Sequence, residues 1–112
     1  MMPLRLDPAP NAGDFLQTFS FRLDDNTLPD LAALDTLDAS IMSACGHQVW
    51  TGSRLGGELV VTGPGEVAMT IPEDKFSLFI PGTYRGAIRA TEGTATEVLA
   101  LFDLPVISGN FP

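Results

Sequence analysis

This 112-residue chain has one cysteine, one histidine and six basic residues, so it is poor in the groups that carry disulfides, imidazole chemistry and phosphate contacts. The single Cys45 forms no intrachain disulfide, which excludes the cross-linked framework of small secreted domains and suits a reducing compartment. His47 is the sole imidazole, and no serine sits in a Gly-x-Ser-x-Gly elbow, so nucleophilic catalysis of the Ser-His or Cys-His kind is not expected. Cys45 and His47 would need two carboxylates recruited from elsewhere to hold zinc; no metal and no cofactor is expected. Fourteen acids against six bases give a net charge of −8, which repels phosphate backbones and leaves no basic stripe, so no nucleic acid is expected as a partner. Long apolar runs are missing too. The longest, Val98 to Phe102, falls far short of the roughly 20 residues that cross a bilayer, and Pro3, Arg5 and Asp7 interrupt any leader-like start, so neither membrane contact nor a signal peptide is expected.

Other site signatures fail in the same way. Gly52 to Gly57 contains Arg54 but no Gly-Lys-Ser/Thr, so it is no phosphate cradle, and its glycines mark a hairpin. Asp24-Asp25-Asn26 with Asp30 has Leu28 where a calcium loop wants an oxygen ligand, and reads as a solvated turn. Glu73, Asp74 and Glu97 carry no spacing that sets a glycosidase dyad.

Turn-formers are abundant. Eleven glycines and nine prolines, with little Lys/Glu periodicity, favour short elements joined by turns, and hence an all-β fold with a single core. Phe15, Gln17, Phe19, Phe21 and Leu23 share one face of a predicted strand. Leu28 to Leu37 reads as a helical turn or irregular crossover, Ala39 to Ser43 and Gln48 to Arg54 as strands, and Leu59 to Thr62 and Val67 to Ile71 as strands joined at Gly63-Pro64-Gly65. Pro72-Glu73-Asp74 opens one helical turn. A strand from Tyr84 to Thr91 turns at Glu92-Gly93-Thr94 into a last strand, Ala95 to Ile107, with Val98, Ala100, Phe102, Leu104 and Val106 on one side. The predicted organisation is an extended N-terminal arm (1–12), a sandwich domain of seven or eight antiparallel strands (13–107) and a short tail (108–112).

Arg85 and Arg89 share one strand face, where cross-strand pairs to Glu97 or Asp103 compete with reading an acidic partner. Leu4, Leu6 and Phe111, on proline-stiffened termini, complete a candidate partner surface and suggest a homo-oligomer in which an arm crosses to a neighbour. Trp50 has two readings, a core residue or a sugar-stacking platform, and the second makes a carbohydrate-binding module the alternative function.

Ile80-Pro81-Gly82-Thr83-Tyr84 resembles the tyrosine corner of immunoglobulin-like and fibronectin-like sandwiches, with Pro81, Gly82 and Tyr84 as the corner residues. Together with Gly13-Asp14-Phe15 and the closing strand Glu97 to Val106, it is similar to the immunoglobulin-like module of tailed-phage virion proteins, notably the N-terminal part of baseplate upper proteins. That resemblance implies a non-enzymatic structural subunit of a phage or prophage tail, baseplate or neck. It would be assembled in the host cytoplasm, located in the virion, and partnered by other virion subunits.

Overall fold

Alternation of apolar and polar residues becomes alternation of burial along most strands of the protein, whose computed structural model describes residues 4–22, 30, 31 and 34–109. Nine strands and one helical turn are present among the described residues: β1 (Leu4–Arg5), β2 (Ala9–Pro10), β3 (Phe15–Ser20), β4 (Thr36–Met42), β5 (Gln48–Ser53), β6 (Leu59–Gly63), β7 (Glu66–Ile71), α1 (Glu73–Phe76), β8 (Gly82–Glu92) and β9 (Ala95–Ile107). They form two sheets, β1-β9-β8-β4-β5 and β3-β7-β6, with β2 following β1 along the same edge of β9. The fold is an all-β, immunoglobulin-like sandwich. Its ladders are antiparallel except where β1 and β2 lie parallel to β9. The two arm strands raise the number above the seven or eight expected, and seven strands belong to the sandwich proper.

The inner faces meet in one core. Phe19 of β3 packs on Phe102 of β9 at a ring distance of 5.1 Å. Phe15, Phe76, Phe79 and Tyr84 continue as a chain of tilted rings 4.9 to 5.2 Å apart. Gly86 lies in register with Phe102, and a Cβ there would stand 2.0 Å from the ring, so glycine is what lets the phenyl group lie on the backbone of β8. Trp50 is 8% exposed and faces Ile41 across the β4–β5 ladder, with its indole over Gly52. Its burial removes the sugar-stacking platform, and with it the basis of the carbohydrate-binding alternative.

Val98 departs from its predicted face. Ile88 pairs with Ala100 but Arg89 pairs with Val98, so Leu99 is an extra residue and β9 bulges there. A bulge re-aims the side chains beyond it: Val98 is exposed beside Arg89, while Leu99 packs partly against the core. The crossover also ends earlier than expected, since Thr36 and Leu37 already belong to β4. Leu31 within it is buried, and the fork of Arg54 donates to the carbonyls of Leu31, Leu34 and Asp35, fastening this segment to the end of β5. Leu23 and the Asp24-Asp25-Asn26 turn lie outside the described residues.

The arm is an edge of its own sheet. Leu4 and Arg5 pair with Phe102 and Asp103, Ala9 and Pro10 pair with Val106 and Ile107, and Ala9 is buried. Further bonds from the backbone N–H of Leu6 to the Asp103 carbonyl (2.9 Å) and of Asn11 to the Ile107 carbonyl (3.0 Å) close the join.

Candidate functional site

Between α1 and β8 the chain passes from one sheet to the other through Ser77 to Pro81, and here apolar side chains are split between core and solvent. Phe79 is buried, while its neighbours Leu78 and Ile80 are 74% and 73% exposed. Three consecutive apolar residues in a tight corner cannot all face inward; the middle one anchors and the flanking two project.

The corner is held from both sides. The Tyr84 hydroxyl donates to the Ile80 carbonyl at 2.8 Å, a bond spanning four residues that pins the chain as it enters β8. Burial pushes the Tyr84 phenol above its ordinary pKa, so the donor stays protonated. Gly82 takes φ 155°, a conformation that residues with side chains rarely adopt. Asn11 does the rest: its Nδ2 donates to the Phe79 carbonyl at 2.8 Å, and its Oδ1 accepts from the Gly109 N–H at 2.8 Å. One side chain thus ties the arm, the corner and the end of β9. Before the corner, Asp14 Oδ1 accepts from the Glu73 N–H at 2.7 Å and caps α1 from the residue that precedes β3. The result is a projecting apolar pair on a backbone fixed at consecutive carbonyls.

The residues expected to form a partner surface are not brought together. Leu4 is half-exposed and Leu6 packs partly against the core, both at the inner rim of the β1–β9 edge. Arg85 and Arg89 lie on the outer face of the same sheet. Arg85 pairs with Asp103 at 3.5 Å, one of the two cross-strand partners anticipated for it, and the pair is too exposed to contribute much stability. Arg89 stands opposite Val98 and Asp38. Phe111 lies outside the described residues. Pro81 and Gly82 are exposed at the corner, with Tyr84 buried beneath them.

Little of this geometry suits bond-making chemistry. Cys45 and His47 are exposed in the β4–β5 turn, where the Ser43 N–H donates to the His47 carbonyl. Among the described residues no polar or charged side chain is buried, and no three His, Cys, Asp or Glu side chains gather as metal ligands. The open cleft of about 400 Å³ between the β4–β5 turn and the start of β8 is lined by Met42, Ser43, Thr83, Arg85 and Asp103, a set without a nucleophile and base in contact.

The sequence matches no protein-family model and no curated protein. Its fold matches solved structures. One is the crystal structure of CopC from Methylosinus trichosporium OB3b, with a TM-score of 0.55 over 98% of this chain and 88% of that one, at 15% identity. At that identity the likeness shows the fold alone. It also corrects the virion reading: the solved structure that shares this sandwich over nearly the whole chain is CopC, which is not a tail, baseplate or neck protein. The corner and closing strand that carried the phage resemblance are features of the sandwich itself.

Although Asp14 and Ile80 lie within motifs read for the fold, no site role was assigned from sequence to Asn11, Asp14, Leu78 or Ile80. The last two had a signal, an apolar Leu-Phe-Ile run directly before Pro81 where a turn was expected. Asn11 had none, because its partners are 68 and 98 residues away.

Proposed function

We propose that this protein is a non-enzymatic binding domain that docks an apolar protein surface on the Leu78-Phe79-Ile80 corner. The observation that carries the reading is the exposure of Leu78 and Ile80 on a backbone already hydrogen-bonded at Phe79 and Ile80. Preorganisation of this kind lowers the ordering cost of association, so a small apolar contact yields more affinity than it would on a mobile loop. Neighbouring Pro81 adds rigidity and apolar area.

The test is a photo-crosslinking amino acid placed at position 78 in the source cell, with position 94 in the β8–β9 turn as control. A discrete protein adduct from position 78 that is absent at position 94, and lost on Ile80→Asp, is the expected result. Adducts of equal yield at both positions, or none, overturn the reading.

A further inference from the structure

Four strand edges bound the two sheets, and three are guarded. The β9 edge is covered by β1 and β2. The β5 edge is broken at Val49 by the register shift between Ile41 and Met42, and the β6 edge by a shift at Thr62. Bulges, charges and prolines are the usual means by which proteins prevent edge-to-edge pairing. β3 has none of them. Its six residues, Phe-Leu-Gln-Thr-Phe-Ser, pair with β7 in unbroken register from Phe15↔Ile71 to Ser20↔Glu66.

Which groups face outward follows from the ladder. The Phe21 N–H donates to the Gly65 carbonyl on the β7 side, so alternate residues back from Phe21 also turn their backbone groups to β7. Leu16, Thr18 and Ser20 therefore direct their N–H and C=O groups to the open edge. Among the described residues no backbone group pairs with them, and the Gln17 side-chain amide bonds the Thr18 carbonyl at 3.1 Å. Leu16 is 65% exposed beside this edge.

The flanking charges name the occupant. Asp14 precedes the strand and Arg22 follows it, both exposed and both in step with the outward residues; Oδ1 of Asp14 accepts from the Glu73 N–H, and its Oδ2 remains to meet a second partner. When two copies of β3 run antiparallel about a two-fold axis at Thr18, Leu16 meets Ser20 of the second copy and Asp14 meets Arg22, twice over. We infer that β3 is a homodimerisation edge, joining two three-stranded sheets into one of six strands with the order β6-β7-β3-β3-β7-β6. The inference goes beyond the corner reading and does not depend on it. A chain of charge −8 would resist self-association through most of its surface, but this strand is uncharged and its ends are complementary. Backbone bonds and Leu16 supply the affinity; the Asp14–Arg22 pairs fix the register, since a slip of two residues separates them. Six residues a side bury less than a standard interface, so the dimer is weak.

Sedimentation equilibrium on the full chain, from micromolar to millimolar concentration, reads the result. The parent protein dimerises. Thr18→Pro removes the central outward N–H, is tolerated on an edge strand, and weakens the dimer by about tenfold or more with the circular dichroism unchanged. Arg22→Asp and Asp14→Lys each place like charges opposite one another and dissociate the homodimer, while an equimolar mixture of the two variants restores a dimer, because both cross-strand pairs are then of opposite sign. A parent that stays monomeric throughout overturns the inference. So does a dimer indifferent to Thr18→Pro, or a variant mixture no more associated than its components.

Discussion

Tyr84 is the single tyrosine of the chain, and a hydroxyl bond of 2.8 Å is all that separates it from phenylalanine in the fold. Tyr84→Phe is expected to cost about 1 kcal/mol, read as a lower denaturation midpoint with unchanged slope. Its pH dependence has a definite sign. Burial raises the phenol pKa in the folded state, so the folded protein holds its proton more tightly than the unfolded chain does. That contribution is complete below the unfolded value near pH 10 and is lost as pH rises toward the higher folded value. Tyr84→Phe is therefore expected to flatten the alkaline fall in stability, measured by denaturation at several pH values. A parallel decline in both proteins contradicts this.

Element boundaries were legible wherever a segment's own residues determined them. β9 begins and ends at Ala95 and Ile107 as the alternation and the flanking glycines imply, and α1 begins after Pro72. What could not be read were features that depend on a partner strand. The bulge at Leu99 turns Val98 outward although the sequence alternates without a break, because the shift belongs to the β8–β9 register. Gly86 looked like one glycine among eleven, and only the Phe102 ring across the ladder gives it a role. Gly86→Ala is expected to force that ring out of its place and cost about 1–3 kcal/mol, far beyond the small gain that alanine brings to an open strand site. Thermal denaturation with Trp50 fluorescence as the probe checks it, and an unchanged midpoint would show that the ring yields freely. The corner pair was hidden for a related reason: which of Leu78, Phe79 and Ile80 turns inward is decided by the ring stack from Phe15 to Tyr84.

For the whole molecule, the arm changes meaning most. Residues 1–12 were expected to lie outside the core and cross to a neighbour, but Ala9 is buried and β1 and β2 close the open side of β9. Deleting these residues is expected to lower the melting temperature and bare the β9 edge from Phe102 to Ile107, with aggregation visible by light scattering; unchanged melting and clear solutions would contradict it. The same parallel join also sets a schedule. Leu4 waits for Phe102, and Pro10 for Ile107, contacts that span nearly the length of the chain and carry the largest loop-closure cost in the fold. During synthesis β1 and β2 thus leave the ribosome well before the strand they pair with, and are the last of the described strands to find their place. The arm stays unpaired until β9 has emerged, so in the cell the sandwich closes only after translation of these residues is complete.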